Sequence, residues 1–319
     1  MAFASDGTLY VGFADRQSVA AIDVRTGVVT REVILDHPEI ASTKELVTMR
    51  LDAVHNRLVI ANGSDESVTI LSLPDLAVVR EIAIEGEAIT DALPDPAGRY
   101  LYVLGRRVHV YDFEGNRELR TLPPLDPMAM AATSTGSVLA VASSEDFGNT
   151  RATVVSLYET TTLQQVSRDP LQTDREIRSL LFAADDRSLV AVASDWFGEK
   201  PIAQTAPKED GRKLASGKAM RVQIEFGDLV SSDHVCLPDR SGPQIVIPSA
   251  KSSLLFLAES RCSVGATFNA SRRNVTFASL YGVSAYALAL EPGGSSLFVT
   301  DRGGFITQFR LPEPQPRKN

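Results

Sequence analysis

Cysteine is scarce in this sequence. Among the 319 residues only Cys236 and Cys262 are cysteines, and neither belongs to a CxxC pair. Paired CxxC spacings are typical of zinc sites and of thioredoxin-like redox motifs, so the sequence indicates neither. Two alternatives stay open for the two cysteines: buried free thiols, or a single disulfide bond, which would indicate an oxidising compartment.

Long apolar runs are also missing. No stretch of about 18 apolar residues occurs, so we predict no membrane-spanning helix and no membrane insertion. The N-terminal residues, MAFASDGTLY, lack the basic and apolar regions of a signal peptide. A trimmed chain would look the same, so the compartment is left open, and a secreted or periplasmic location is expected if an N-terminal signal has been removed.

Positive charge is not in excess, and the linear motifs of common enzyme sites are absent. Lys and Arg number 32 against 40 Asp and Glu, a formal net charge of −8, which opposes binding to nucleic acid phosphates and excludes nucleic acid as a partner. There is no P-loop, GxSxG, HExxH or DxDxDG pattern, and no HxH or HxxxH spacing. We therefore predict no cofactor and no metal from linear spacing. His109 alternates with Val108 and Val110 and is predicted to be a strand histidine that is either hydrogen-bonded or exposed.

A turn followed by an apolar burst recurs along the chain. The seven bursts start after Gly7 (TLYVGFA), Asn56 (RLVIANG), Gly98 (RYLYVLG), Gly136 (SVLAVAS), Arg187 (SLVAVAS), Ser252 (SLLFLAE) and Gly294 (SSLFVTD). In the clearest copies a second alternating run follows, such as SVTILSL, then a third, such as AVVREIA, and each unit opens with a run ahead of the turn, such as AYALALE. Four short apolar runs bounded by Gly, Asp, Asn and Pro predict four antiparallel strands per unit.

The repetition predicts the fold. A single four-stranded sheet of about 35 residues is marginally stable at best, because it cannot bury both faces by itself. Radial stacking of twisted sheets buries both faces and leaves only short edges. We therefore predict an all-β fold, a seven-bladed β-propeller of four-stranded antiparallel blades. The one plausible helical period, HPEIASTKELV from His37 to Val47, falls between two blades.

Several of these segments resemble a known repeat. DPAGRYLYV, followed by VHVYDF and GNREL, is similar to the YVTN-type repeat of the lactonase-like seven-bladed β-propeller family, and EPGGSSLFVTD resembles it again. The resemblance touches nearly all of the chain and is strongest in the second, third and seventh copies. It implies the propeller fold, whereas the functions found on that fold range over cell-surface proteins, lactonases, cofactor-bearing dehydrogenases and propellers that only bind.

One propeller domain is predicted over residues 1–312, with a disordered tail at 313–319. The seventh copy ends with FITQFRLP, which leaves no fourth strand, and the first residues, MAFAS, look like the inner strand of the first blade. The last blade is therefore possibly incomplete: either it has three strands, or residues that precede Met1 in a longer natural chain complete it.

The turns between the second and third strands are expected to meet on one face of a propeller, together with the connections between blades. Six of the seven such segments contain an Arg or an acid-rich cluster, and a guanidinium presents five donors in a rigid fork that suits carboxylates and sugar hydroxyls. The longest connection, Trp196 to Ala219, opens with the only Trp, and long loops are often functional. The predicted ligand-binding residues are Arg16, Arg106, Arg151, Trp196, Phe197, Arg261 and Arg302. Solvation alone also explains polar loops, and the Trp–Phe pair could instead pack on the protein's own surface.

We predict from this a non-catalytic, monomeric β-propeller scaffold that binds a protein or a small polar, carbohydrate-like ligand on its loop face. The alternative is a metal-dependent, lactonase-like hydrolase with a pocket at the mouth of the central channel, where a divalent cation would polarise a lactone carbonyl and activate water. Its candidate carboxylates are Asp52, Glu87, Asp91 and Glu176, and ordinary solvated carboxylates explain all four positions equally well.

Overall fold

The computed structural model of the chain describes residues 1–13, 17–35, 46–63, 66–115, 117–123, 126–147, 150–167, 171–173, 176–182, 186, 189–194, 212–213, 219–220, 245–248, 255–258, 264–269, 274–279, 285–292, 296–301 and 306–310. Cys236 and Cys262 lie outside these residues. So do residues 36–45, which hold most of the predicted helical period, and the period's last residues, Leu46 and Val47, belong to a strand.

Three four-stranded antiparallel sheets follow one another at the start of the chain, each with its strands in sequence order. The first contains β1 (Ala2–Phe3), β2 (Thr8–Phe13), β3 (Ser18–Asp23) and β4 (Val28–Ile34). The second contains β5 (Leu46–Asp52), β6 (Arg57–Asn62), β7 (Ser67–Ser72) and β8 (Val78–Ala83). The third contains β9 (Asp91–Pro94), β10 (Tyr100–Leu104), β11 (Val108–Asp112) and β12 (Arg117–Leu122).

The fourth sheet has a longer central hairpin. It contains β13 (Pro127–Ala132), β14 (Val138–Phe147), β15 (Thr150–Glu159), β16 (Gln164–Gln165) and β17 (Leu171–Thr173), which also pairs with β15. The polar segment SSEDFGNTR, residues 143–151, is expected from its sequence to be a loop between two strands because it holds the predicted binding residue Arg151 among polar residues, and this expectation is wrong: strand pairing continues from Ser143 opposite Val154 to Phe147 opposite Thr150. The segment TRATVVSL is rich in β-branched residues that keep β15 extended, and the polar residues opposite it reflect exposure to solvent, not a turn.

The remaining strands form smaller antiparallel sheets among the described residues, and these residues contain no helix. Four pairs of strands are β18 (Glu176–Phe182) with β19 (Leu189–Ser194), β20 (Arg212–Lys213) with β21 (Ala219–Met220), β22 (Ile245–Pro248) with β23 (Leu255–Ala258), and β24 (Val264–Asn269) with β25 (Asn274–Ser279). The last sheet contains β26 (Ala285–Leu290), β27 (Ser296–Asp301) and β28 (Ile306–Arg310).

The chain forms two compact units. The first comprises residues 1–127, 249–252 and 283–319, and the second comprises residues 128–248 and 253–282. The first three sheets and the last sheet therefore belong to the first unit. In the second unit, Ala140 and Val155 of the fourth sheet share a buried core with Leu180 and Leu189 of the β18–β19 pair.

A residue with left-handed backbone stands just before the second strand in successive sheets. These residues are Gly7 (φ 87°), Asn56 (φ 54°), Gly98 (φ 77°), Gly136 (φ 65°) and Asp186 (φ 52°). Glycine has no Cβ that would clash in this conformation, and Asn and Asp tolerate it better than other residues. The turn residues that mark the start of the first four apolar bursts in the sequence are thus the ones that reverse the chain.

The sheets of the first unit bury both faces against one another. Leu58 and Ile60 of the second sheet share a core with Tyr10 of the first sheet. The alternate residue Val59 shares a core with Leu101 and Val103 of the third sheet. Because side chains alternate between the two faces of a strand, this arrangement explains why the second strands are almost uniformly apolar.

The chain's first strand lies where it was predicted, and burial differs between the strands of its sheet. β4 is exposed along nearly its whole length, whereas β3 is largely buried and the middle of β2 is buried. β1, within MAFAS, is the first strand of the first sheet, and the last sheet has three strands among the described residues. Leu9 and Val11 of the first sheet share a core with Phe298 of the last sheet. The domain limits 1–312 and 313–319 stay a prediction.

Candidate functional site

Of the seven residues predicted to bind a ligand, only Arg106 has a described side chain. Arg151 lies in β15, with its Cα opposite Asp146 in the strand ladder. Arg16, Trp196, Phe197, Arg261 and Arg302 lie outside the described residues. The candidate site therefore lies on the first unit, around the turn Gly105–Arg107 between β10 and β11, which we call the Arg106 turn.

The Arg106 turn is supported by the carboxylate of Glu87 from the connection between β8 and β9. The Arg106 backbone N–H donates to Glu87 Oε2 at 2.8 Å. A Cβ on Gly105 would lie 2.7 Å from that same oxygen, so the absence of a side chain there allows the carboxylate to approach the turn. The Asp126 N–H donates to the Arg106 carbonyl oxygen at 3.0 Å. The turn is thus hydrogen-bonded to the segment that precedes the third sheet in the chain and to the segment that follows it.

His109 lies beside the turn and bridges two carboxylates. Its Nε2 lies 3.1 Å from Glu87 Oε2, and its Nδ1 lies 2.9 Å from Glu118 Oε1 on β12. The imidazole is nearly buried, with 10% of its side chain exposed. Ionised carboxylates only accept hydrogen bonds, so both contacts are hydrogen bonds at once when both ring nitrogens carry a proton. His109 and the Arg106 N–H therefore both hold the same oxygen, Glu87 Oε2.

The environment shifts the pKa of two groups in this cluster. Burial by itself would raise the pKa of Glu87, but the hydrogen bonds from His109 and from the Arg106 backbone outweigh it, so the pKa is lowered. Burial, together with the negative charges of Glu118 and Glu87, raises the pKa of Tyr111 to about 12. Glu87 is thus held as a carboxylate, and Tyr111 as a neutral phenol, over the physiological range.

The result of these contacts is a rigid turn with two exposed cations. Arg106 and Arg107 are both exposed, while the backbone that carries them is fixed by Glu87 and Asp126. A guanidinium offers planar, charge-assisted hydrogen bonds to carboxylates. This arrangement suits recognition of acidic or hydroxyl-rich groups at the surface.

A second polar cluster lies on the first strands of the second and third sheets. We call Thr48, Arg50 and Asp91 the first-strand cluster. Arg50 donates from Nε to Asp91 Oδ1 at 2.9 Å and from Nη2 to Asp91 Oδ2, and Thr48 Oγ1 donates to Asp91 Oδ1 at 2.9 Å. Burial by itself would lower the pKa of Arg50, but the Asp91 charge and hydrogen bonds outweigh it and raise the pKa. This ion pair links β5 to β9.

The candidate carboxylates of the alternative hydrolase have distinct surroundings. Asp52 is buried at the end of β5, where its carboxylate accepts from the backbone N–H groups of Val54 and His55 in the following turn and lies 2.6 Å from His55 Nδ1. Glu176 begins β18, and its side chain lies outside what the structure describes. In the described parts of the chain, no three His, Cys, Asp or Glu side chains are grouped so that they could hold one metal ion.

Sequence reasoning identified Glu87, Asp91 and Arg106 but missed Thr48, Arg50 and Glu118. A signal was available for the first two. Thr48, Arg50 and Asp52 alternate in LVTMRLD, so the period of two places a polar stripe on one side of a strand that is otherwise apolar.

None of the described residues forms a helix long and apolar enough to cross a membrane.

Comparisons with known proteins identify the fold. A chain of hydrazine synthase from Kuenenia stuttgartiensis has a TM-score of 0.70 at 15% sequence identity, over 97% of this chain and 94% of that chain. The β-propeller domain of Cps50 (Swd1) from Myceliophteria thermophila has a TM-score of 0.67 at 13% identity, over 97% and 96% of the two chains. A chain of the mitotic checkpoint complex has a TM-score of 0.66 at 12% identity, over 97% and 86%.

No protein-family model matches the chain, and no curated protein sequence does. Identities of this size show the fold alone. The stacked four-stranded antiparallel sheets and the likeness to propeller structures agree with each other, and they confirm the predicted fold class. The chain is an all-β protein with the β-propeller fold.

Proposed function

We propose that this chain is a non-catalytic β-propeller scaffold that binds an acidic segment of a partner protein at the Arg106 turn. The observation that carries the proposal is the pairing of two exposed cations, Arg106 and Arg107, with a backbone held in place by Glu87. Binding residues in loops are effective when a rigid scaffold positions them, because less conformational freedom is lost on association.

The local charge of the turn supports an acidic partner. The chain's net charge of −8 repels an acidic segment from most of its surface, so such a segment is attracted only where cations are concentrated. Two adjacent arginines at one turn provide such a concentration, and the forked guanidinium binds carboxylates with defined geometry. We expect these charges to lie at the solvent-exposed rim of the interface, where electrostatic contacts affect specificity and the association rate more than affinity.

The solved structures support a scaffold role by analogy. One of the similar chains is part of the mitotic checkpoint complex, and therefore acts within an assembly of proteins. The rest of the predicted face, Arg16, Arg151, Trp196, Phe197, Arg261 and Arg302, belongs to the same proposal, as does a small polar or carbohydrate-like ligand in place of a protein. Monomeric state, a secreted or periplasmic location and membership of the YVTN, lactonase-like family stay predictions.

Site-specific photo-crosslinking tests the proposal. A benzoylphenylalanine placed at Arg107 in the full chain, in its natural host, is expected to form a covalent adduct with a discrete partner protein. The same group at Arg25, an exposed residue in the turn between β3 and β4 at the other end of a sheet, is the matched control and is expected to give no such adduct. Arg106→Glu in the Arg107-labelled chain is expected to abolish the adduct through charge reversal.

Two results would contradict the proposal. One is an identical set of adducts at positions 107 and 25, which indicates contacts without a preferred face. The other is an adduct at position 107 that persists undiminished with Arg106→Glu, because a partner held by this turn must respond to its charge. Circular dichroism of each variant confirms that the strands are retained.

A further inference from the structure

The two histidines that the structure describes lie at opposite ends of the junction between the second and third sheets. His109 stands near the start of β11, next to the Arg106 turn. His55, in the turn between β5 and β6, stacks on Phe113 just beyond the end of β11. The two points are about 13 Å apart along the strand, since a strand rises about 3.3 Å per residue. Both rings are largely buried, with 10% of the His109 and 18% of the His55 side chain exposed.

His55 faces one acid of its own sheet and one acid of the third sheet. Its Nδ1 lies 2.6 Å from Oδ2 of Asp52, and its Nε2 lies 3.4 Å from Oε1 of Glu114. Arg57 Nη1 lies 3.1 Å from the same Glu114 oxygen. In the described part of the chain, the charged groups against this ring are therefore the two carboxylates and the Arg57 guanidinium.

His109 also faces one acid of its own sheet and one from outside it. Its Nδ1 lies 2.9 Å from Oε1 of Glu118 on β12, and its Nε2 lies 3.1 Å from Oε2 of Glu87, in the connection that leads from the second sheet to the third. Tyr111, two residues along β11, is a neutral phenol, because burial and these two carboxylates raise its pKa to about 12. The adjoining Arg106 turn carries two exposed cations. The two histidines are thus placed alike, each between a pair of carboxylates.

Each pair of contacts is complete only when the ring carries two protons. An ionised carboxylate accepts hydrogen bonds and donates none, and a neutral imidazole has one N–H and one lone pair. A neutral ring therefore bonds one of its two acids and turns a lone pair towards the other. In a largely buried site water replaces the lost donor poorly, so the loss is costly. For His55 the loss is smaller, because Arg57 also holds Glu114.

We propose that the junction between the second and third sheets is a pH-sensitive joint, closed by an imidazolium at each end and loosened when the two rings lose a proton. Histidine is the side chain whose charge ordinarily changes between about pH 5 and 8. The stabilisation is complete on the acid side of that range and is lost as the pH rises through it. The joint does not depend on a partner at the Arg106 turn, although Glu87 connects the two.

Two other groups of the His109 cluster do not compete with the ring for this proton. The lowered pKa of Glu87 keeps its carboxyl ionised over this range, and the raised pKa of Tyr111 keeps its phenol neutral. The expected loss on the alkaline side is therefore separate from any loss on acidification that involves the carboxyl of Glu87.

Urea unfolding of the full chain at about pH 6 and about pH 8.5 tests the joint. The variants are His55→Gln, His109→Gln and the double variant, because glutamine can still donate to one acid and takes up no proton. The chain's other histidines are present in all four proteins, so the comparison isolates these two rings. Between the two pH values we expect the unfolding equilibrium constant of the natural chain to rise about tenfold more than that of the double variant. His109→Gln should remove most of this difference.

Amide hydrogen exchange of the natural chain, followed by nuclear magnetic resonance, gives a local measure that needs no variant. β11 carries His109, and β3 is the matched control, because it is also a third strand and the first sheet contains no histidine. After correction for the intrinsic exchange rate, we expect the protection factors of the β11 amides to fall at least about threefold relative to those of β3. This fall should follow the titration of the His55 and His109 ring signals.

Three results would overturn the proposal. The first is a double variant whose unfolding depends on pH as steeply as that of the natural chain. The second is an equal change of protection in β11 and β3, or no change in either, because a joint must open before the rest of the unit. The third is a pair of ring signals that do not titrate between about pH 5 and 9, because rings that keep their charge cannot act as a switch.

Circular dichroism at each pH establishes that the variants are folded. None of these measurements involves a partner, so their outcome is independent of binding at the Arg106 turn.

Discussion

The imidazole of His55 stacks on the ring of Phe113, with 4.6 Å between the ring centroids and 10° between the planes. His55 belongs to the turn after β5 in the second sheet, and Phe113 follows β11 in the third. Asp52 holds the imidazole from one side and Glu114 lies 3.4 Å from its Nε2 on the other. The turn of the second sheet is thus packed into the third sheet, and neighbouring turns are sensitive to small changes in volume.

Gly98 lies against this turn and is constrained by the packing. We expect Gly98→Ala to destabilise the protein more than Gly7→Ala. Both glycines have positive φ, so either alanine costs about 1–2 kcal/mol of strain. At Gly98 the new Cβ would also lie 2.7 Å from Val54 Cγ1 and 3.0 Å from His55 Cε1, and such overpacking adds about 1–3 kcal/mol.

Urea unfolding followed by fluorescence measures both glycine variants against the natural chain. Gly7 is the matched control, since a Cβ there meets nothing within 4 Å. Equal destabilisation by the two alanines would show that the contact between Gly98 and the turn of the second sheet is not present in solution.

The hydroxyl group of Tyr102 is buried and has no hydrogen-bond partner among the described residues. We expect Tyr102→Phe to be neutral or slightly stabilising, because it removes a polar group that is desolvated without compensation. Tyr158→Phe is the matched control. Tyr158 is equally buried and forms a hydrogen bond with Ser156. Removal of its hydroxyl group is therefore expected to lower the free energy of unfolding by about 0.5–1.5 kcal/mol. A larger loss for Tyr102→Phe than for Tyr158→Phe in urea unfolding would contradict this.

The core between the second and third sheets depends on Leu101. It is fully buried on β10, whereas Leu119 on β12 is 38% exposed. We expect Leu101→Ala to lower the free energy of unfolding by about 2–5 kcal/mol, the cost of lost apolar burial and of the cavity. Leu119→Ala should change it by less than about 0.5 kcal/mol. Similar unfolding midpoints for the two variants would show that the sheets do not stack in this way.

The position of Leu101 could be predicted from the sequence, and so could most of the fold. Turn residues that tolerate a left-handed backbone, such as Gly98, mark the start of the first four apolar bursts, and the uniform apolar character of bursts such as RYLYVLG indicates burial on both faces. These signals are local, because the backbone conformation of a turn and the alternation of side chains along a strand each involve only a few neighbouring residues. They predict strands and turns in each repeat without any knowledge of the neighbouring sheet.

The partners in the candidate sites could not be predicted in the same way. Arg50 and Asp91 are 41 residues apart, and His109 and Glu87 are 22 residues apart. The sequence indicates Glu87 and Asp91 as acids near the start of a strand, but which cation reaches them depends on how one sheet lies against the next. Stacking is a long-range property that no single repeat contains.

The arginines that recur in the fourth strands also make contacts between sheets that the sequence does not predict. Arg31 lies opposite Ala21, and Arg80 lies opposite Ile70 at the same place in the next sheet. Each donates to a backbone carbonyl oxygen in the following sheet: Arg31 to that of Asp75, and Arg80 to those of Phe113 and Glu114. Aligning VVTREVI with AVVREIA reveals the repeated arginine, whereas its contact with the next sheet is visible only in the structure.

The lowered pKa of Glu87 has a consequence for stability against pH. Above its ordinary value of 4.5 the carboxyl is ionised in both the folded and the unfolded chain, and its contribution is fully present. As the pH falls, the unfolded chain binds the proton first, so the contribution is lost as the pH passes down through the folded value. The contacts responsible are those with His109 and with the Arg106 turn.

We therefore expect Glu87→Gln to reduce the loss of stability on acidification. The free energy of unfolding, measured by urea titration from about pH 7 to about pH 3.5, should fall less steeply in the variant than in the natural chain, because glutamine takes up no proton. The exposed Glu85, two residues away, provides the control, and Glu85→Gln should retain the natural slope. If Glu87→Gln and the natural chain lose stability in parallel, the carboxylate does not hold His109 and the Arg106 turn as described.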